Sequence, residues 1–321
     1  MPEPGATSSA NLISRTALLA PLGARNFRIL WIGETVSVLG DQFYFVALPW
    51  LVLQLTDSGL ALGSMLMTAA IPRAAMMLAG GAATDRFTSR TVMLLSNLAR
   101  CLIVFVLSVL VYTHAARMWH LYVLAAAFGT FDAFFYPAYI SILPSLLEPA
   151  HLPAGNSLMQ GSVQLTGLIG PAAAGAVIGN AGLAAAFGVD AASFVVSIIA
   201  LAMMTTVGLA TSNRQRMTLL ASIREGIAYA VAHPVIRSLL LAYAVMNLFL
   251  TGPFMVGAPL LAKLRFGGAA ALGLLYSAFG AGALVGTVAA GHDHREWRLG
   301  PLLVSVVRPG HIGNTTYRLH G

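Results

Sequence analysis

Between Phe27 and Gly291 the chain passes through eight apolar runs, each long enough to cross a bilayer, with short polar breaks between most of them. A crossing helix needs about 20 mainly apolar residues. Inside hydrocarbon every backbone N–H and C=O must find its partner within the protein, and runs of this length find it as helices. The pattern therefore predicts an all-α, polytopic membrane helical bundle. Charged residues are 9% of the 321 and hydrophobic ones 58%. A soluble domain carries about 25% charged residues, so no soluble domain of useful size is expected.

The predicted spans are 27–55, 60–83, 91–113, 119–147, 156–180, 183–209, 235–261 and 270–291. Turn residues separate them: Asp57-Ser58-Gly59, Thr88-Ser89, Glu148-Pro149 and Asn180-Ala181-Gly182. The segment 1–26 is polar and irregular. The run after it holds Glu34 and Asp41 and has no small-residue cleavage site behind it, so it reads as a span rather than a cleaved signal. Arginines concentrate in alternate breaks: Arg15, Arg25, Arg28, Arg86, Arg90, Arg214, Arg216, Arg224, Arg295 and Arg298 fall on one side. The positive-inside rule makes that side, and the N-terminus, cytoplasmic. Lys263 and Arg265 run against the bias. The net charge of +7 thus belongs to membrane topology and not to nucleic acid. Cys101, the one cysteine, excludes an internal disulfide.

The longest polar stretch, 210–234, carries Leu220, Ile223, Ile227 and Val231 at helical spacing, as an amphipathic linker helix on the cytoplasmic surface would. It divides a 27–209 bundle of six spans from two further spans in 235–291. From His292 to Gly321 the apolar pattern stops, and four of the eight histidines fall there, a polar tail unlike the rest.

In this poorly charged chain, "GGAATDRFTSR" (Gly80 to Arg90) gathers Asp85, Arg86 and Arg90 into one break. A solvated turn obeying the positive-inside rule is one reading. A working loop is the other, with Gly81 allowing close helix approach and the carboxylate attracted to the positive end of a helix. The stretch resembles the loop between helices two and three of the major facilitator superfamily, G-x-L-A-D-[RK]-x-G-[RK]-[RK]. Gly81, Asp85, Arg86 and Arg90 match, and Ala83, Thr84, Thr88 and Ser89 depart from it. Five further blocks lie in the order that superfamily's drug and metabolite exporter branch would require. They are "SVLGDQFYFVALPWLVLQLTDS" from Ser37, "FFYPAYISILPSLL" from Phe134, "GPAAAG" from Gly170, "VDAASFVVS" from Val189 and "AFGAGALVG" from Ala278. The branch includes macrolide-efflux and enterobactin-exporter relatives.

The resemblance covers about 26–291. It implies a complete N-terminal six-helix half and the first two helices of a second half. Gly170-Pro171 resembles the fifth-helix antiporter motif, with Thr166 where a glycine is usual. Gly167, Gly170, Pro171 and Gly175 read equally as a small-residue packing stripe. Related exporters carry an arginine soon after the Pro-Ala pair of the fourth span, and here Pro137-Ala138 is followed by Tyr139.

Ionisable residues inside spans are costly and face a cavity or one another. Asp41 and Asp132 read as the deepest and as the first candidates for proton coupling or substrate contact. Glu34 is expected near the membrane surface, hydrated. Asp190 is expected to hydrogen-bond near the outer mouth, Arg100 to pair with the Asp85 loop, and Arg73 to bond carbonyls freed by Pro72. Phe43, Tyr44, Phe45, Phe134, Phe135 and Tyr136 suggest either a pocket for apolar cations and macrocycles or plain packing.

No nucleophile–base pattern, metal-spaced Cys/His set or phosphate loop occurs, so neither enzyme activity, cofactor nor metal is expected. The expectation is a monomeric exporter in the bacterial inner membrane. It would exchange an apolar or amphipathic small molecule for protons by alternating access. The alternative is a truncated or frameshifted remnant of such an exporter that cannot transport.

Overall fold

A computed structural model of the protein describes residues 18–205 and 228–292, without the side chains of Leu78, Asp85 and 288–292. After a short 3-10 turn at Ala20–Gly23 come α1 (Arg25–Thr56), α2 (Gly59–Arg86), α3 (Ser89–Tyr112) and α4 (Met118–Leu146). The helix Leu152–Met203 breaks at Gly182, whose φ of 84° suits a residue without a Cβ, giving α5 (152–181) and α6 (183–203). Helix α7 (Pro234–Phe266) contains two π turns, Asn247–Thr251 and Ala262–Phe266, and α8 is Ala269–His292. No strand occurs among the described residues.

Among the described residues seven helices are long and apolar enough to cross a membrane. One of them, counted with the turn before it, has 55 residues. At 1.5 Å per residue that is more than twice one crossing, and the reversal at Gly182 makes it two spans. Among the described residues the eight predicted runs are thus eight helical spans, with ends displaced by a few residues; the predicted end of the sixth, 209, lies outside those residues. Sequence chemistry sets those ends. Ser58 and Thr88 accept the N–H of Ala61 and Thr91, each three residues on, as N-cap side chains do. Asp57 ends α1 in the left-handed region.

Contacts divide the described chain into two compact units. One holds α1 to α6 with residues 255–285, and the other holds residues 228–254 and 286–292. In the first unit α1 lies between α5 and α6. Trp31 Nε1 and Thr35 Oγ1 donate to Ser162 Oγ (2.9 and 3.1 Å), and Gly170 abuts Gln42, so α1 and α5 run parallel. Gly33 abuts Ser197 and Ala200, and Gly40 abuts Ser193, so α1 and α6 run antiparallel. Phe27, Leu30, Met93, Ile142, Met159 and Leu201 fill the core at the end where α1 begins. In the second unit the 234–254 part of α7 is largely exposed.

The "GGAATDR" stretch is helical to Arg86 and forms the last turns of α2, so the turn proper is Phe87-Thr88. Thr88 caps α3. Gly81 touches nothing that would exclude a Cβ, contrary to expectation. Its neighbour Gly80 does, because a side chain there would overlap the backbone of Ala133 and Phe134 in α4. The N-terminal stretch before Leu18, most of the 210–234 linker, and the tail beyond His292 lie outside the described residues.

Gly129 of α4 presses on the Ala69 carbonyl of α2, with no room for a Cβ. Gly129→Val should therefore lower the stability of the detergent-purified protein by about 1–3 kcal/mol, as overpacking does. Gly179→Ala, where nothing lies within 4 Å of the added Cβ, should leave the melting temperature unchanged. Equal melting of both variants would refute this packing.

Candidate functional site

Helix α3 carries Asn97 and Arg100 one turn apart on one face, inside an apolar run. Arg100 is only 3% exposed. Its Nη1 donates to Asp132 Oδ1 of α4 at 3.1 Å, and its Nη2 donates to Asn97 Oδ1. The guanidinium also lies over two aromatic rings, 4.3 Å from the centre of Phe135 and 4.8 Å from that of Phe194. A cation against ring faces is attracted by their quadrupoles, more so when desolvated. The second oxygen of Asp132 takes Arg73 Nε of α2 at 3.0 Å. On the other side Asn97 Nδ2 donates to Ser197 Oγ of α6 (2.8 Å), and Ser197 Oγ donates to Glu34 Oε1 of α1 (2.8 Å). One continuous polar line thus runs Arg73–Asp132–Arg100–Asn97–Ser197–Glu34 and ties five helices together.

Two carboxylates stand beside it. Asp190 of α6 is wholly buried, and neither of its oxygens has a hydrogen-bond partner. Its Oδ1 faces α1 at Gly40, the residue before Asp41. Asp41 also has one buried oxygen, Oδ1, without a partner.

Several expectations change. Glu34 is not a hydrated surface group: it is 3% exposed and bonded to Ser197. Glu34 and Asp190 are more buried than Asp132, whose side chain is 16% exposed. Asp190 is expected to hydrogen-bond, and Ser193 Oγ donates to its backbone carbonyl at 2.7 Å. Arg73 bonds Asp132 and not freed carbonyls, because a nearby carboxylate is the stronger acceptor. Arg100 reaches Asp132 and Asn97 and not the turn after α2. The aromatics do not form one pocket. Tyr44 stacks on Phe128 at 4.7 Å, Phe135 covers Arg100, and Phe45 packs on Tyr276 at 5.0 Å. Asn97 and Ser197 were not singled out by sequence reasoning. An Asn and an Arg at i, i+3 in an apolar run was the available signal.

The other candidates sit elsewhere. Arg90 donates to the Leu201 and Ala202 carbonyls (2.6 and 2.7 Å) and so caps α6, where the helix dipole favours a cation. Arg86 is exposed. Gly167, Gly170, Pro171 and Gly175 pack. Gly280 of α8 meets the Gly167 carbonyl, Gly273 meets Pro171 and Gly175, and Ser277 Oγ accepts the Ala172 N–H at 3.0 Å. Among the described residues no three His, Cys, Asp or Glu side chains gather as a metal site would require. A cavity of about 700 Å³, lined by Trp50, Gln54, Tyr112 and His114, lies at the far end of α1 and α3 from this core.

Removing one partner of a buried ion pair leaves an uncompensated charge, at a cost of about 3–5 kcal/mol. Half-exposed pairs are worth about 1 kcal/mol or less. Arg100 is buried, whereas the Arg73 side chain is 55% exposed. Asp132→Asn should therefore lower the melting temperature in detergent far more than Arg73→Met. The reverse order would contradict the assignment of Arg100 as the buried partner.

Residues 16–298 match the family of transmembrane secretion effectors. The chain is 31% identical over 224 residues to the multidrug efflux pump Tap of Mycolicibacterium fortuitum, covering 67% of this chain and 54% of Tap. It is 25% identical over 290 residues to the enterobactin exporter EntS of Salmonella typhi, covering 89% of this chain and 66% of EntS. The match to the MFS-type transporter YfiS of Bacillus subtilis is 27% identical and covers 51% of that protein. The chain thus spans about half the length of Tap and YfiS. Its fold resembles that of a bacterial homologue of the lysosomal transporter Spinster, solved inward-facing and unoccupied. The TM-score is 0.65 at 16% identity, over 83% of this chain and 61% of that one. With most of its length matched, the chain belongs to the transmembrane secretion effector family of the major facilitator superfamily, a family of multi-pass membrane transporters.

Proposed function

We propose that this chain serves secondary active efflux across the bacterial cytoplasmic membrane. It would carry an amphipathic or apolar small molecule outward in exchange for protons, by alternating access about the α1–α6 core. The likeness to Tap and EntS supports efflux. The observation that carries proton coupling is the division of labour among the carboxylates. Asp132 is committed to two guanidiniums. Asp41 and Asp190 hold buried oxygens with no hydrogen-bond partner. A carboxylate free of ion pairs at membrane depth is the group that a proton can load and leave, and such groups mark proton relays. In this reading Asp132 organises the site, and Asp41 with Asp190 exchanges protons. No enzymatic step is assigned to the chain.

The orientation we propose puts the N-terminus and the Arg86–Arg90 turn in the cytoplasm, as the arginine bias suggests. Lys263, an exception to that bias, donates to the Asp57 carboxylate and the Leu53 carbonyl. Its charge is thus offset locally and weighs little in the count.

Two measurements test this reading. Expression in a pump-deficient host should lower accumulation of the uncharged dye Nile red. A protonophore should restore it, and Asp41→Asn or Asp190→Asn should abolish the effect without loss of membrane insertion. Wild-type export by both variants, or export insensitive to the protonophore, would sink proton coupling. For orientation, a cysteine placed at Thr88 in a Cys101→Ala background should react with an impermeant maleimide in inverted vesicles only. Reaction in intact cells would reverse the topology.

A further inference from the structure

We propose that Arg73 recognises the substrate and that it takes an oxyanion, such as a carboxylate, sulfonate or phenolate, on an otherwise apolar molecule. The inference rests on the reading of the central polar line as the transport site, and it names the substrate class.

Position comes first. Arg73 lies 14 residues from the start of α2 and 13 from its end, about 20 Å of helix on either side. Its guanidinium is thus near the middle of the span, too deep to snorkel to a lipid headgroup. An arginine facing hydrocarbon at that depth is strongly disfavoured. Yet its side chain is 55% exposed, and on this proposal that exposed part lies toward the transport path and not toward lipid.

Geometry follows. Asp132 holds Arg73 through Nε, which fixes the guanidinium plane and leaves both Nη groups without a partner among the described residues. Two parallel N–H groups on a planar fork match the two oxygens of an oxyanion, as a lysine ammonium does not.

Accessibility decides between an anion and a cation. Each oxygen of Asp132 is already engaged by a guanidinium. Asp190 is wholly buried, and the unpartnered oxygen of Asp41 is buried as well. Neither offers an open face to a molecule of drug size. Arg100 is closed off by Phe135, Phe194 and Asn97. Of the ionisable groups in and beside the line, Arg73 is the most exposed, with Asp41 only partly so, and its two Nη groups are its unused donors. Two guanidiniums, Arg73 and Arg100, face four carboxyl groups, Glu34, Asp41, Asp132 and Asp190, of which only Asp132 is ion-paired with them. The free fork of Arg73, and not net charge, is therefore what selects the ligand.

The test uses the full chain in detergent and three probes that share one fluorophore: dansylglycine (anionic), dansylamide (neutral) and dansylcadaverine (cationic). Wild type should bind dansylglycine more tightly than dansylcadaverine. Arg73→Met should weaken dansylglycine by about tenfold or more, the worth of a charge-assisted hydrogen bond, and leave dansylamide unchanged. Arg73→Lys keeps the charge and the pairing with Asp132 but loses the fork, and should lie between the two. Unchanged dansylamide binding and melting temperature establish that the variants are folded. Dansylglycine binding that survives Arg73→Met, a wild-type preference for the cation, or no binding of the anion by wild type would each overturn the proposal. Failure of proteoliposomes to move dansylglycine with Arg73-dependent dansylglycine binding intact would sink the efflux reading and leave this one standing. The reverse pattern would sink this one alone.

Discussion

A guanidinium inside an apolar helix bundle costs several kcal/mol unless its charge and its donors are met at close range. Arg100 imposes that condition here, and the neighbouring helices are arranged to satisfy it. Helix α4 brings the Asp132 carboxylate, α3 brings Asn97 one turn away, and Phe135 and Phe194 shield the guanidinium. Each partner then makes a demand of its own. Asn97 needs an acceptor for its amide and finds Ser197 on α6, and Ser197 in turn donates to Glu34 on α1. Asp132 has a second oxygen to satisfy and draws Arg73 of α2. Hydrogen bonds specify direction as well as distance, so this line sets the rotation of five helices about their axes. Apolar contact alone would leave those rotations loosely determined.

Between helices in lipid the hydrophobic effect contributes little, because the tails are as apolar as leucine. Close backbone approach does the work instead. Gly80 and Gly129 let α2 and α4 touch, which places Arg73 within reach of Asp132. Gly175, Gly273 and Gly280 do the same for α5 and α8. Basic side chains finish the helix ends. Arg90 closes α6 and Lys263 reaches the last carbonyls of α1, both placed where the dipole favours a cation. The first turn of α3 therefore contains an arginine, Arg90, with a defined structural task, which the motif match by itself did not distinguish from a switch.

Span number, span type and approximate ends were legible in the sequence. Their cause is local: run length against bilayer thickness, and capping by Ser58 and Thr88 within three residues of the position capped. The small-residue character of the α5 stripe was legible for the same reason. The choice between Gly80 and Gly81 was not, because adjacent glycines point about 100° apart around the helix, and only the location of α4 says which of them is pressed. Likewise Glu34 was misplaced. Its position seven residues before Asp41 is a local fact, but its burial depends on α6, more than 160 residues along the chain, offering Ser197 at the right height.

The sequence by itself determined that this chain is a membrane bundle of eight spans with a few costly charges inside, because hydropathy and helix ends are written over short stretches. Which charges pair was decided only by the tertiary structure. Arg73, Arg100, Asp132 and Glu34 come from four different helices, and nothing local to any one of them encodes the distance to the others. An ion pair is a property of two positions in space, and here those positions exist only once α1, α2, α3, α4 and α6 have packed.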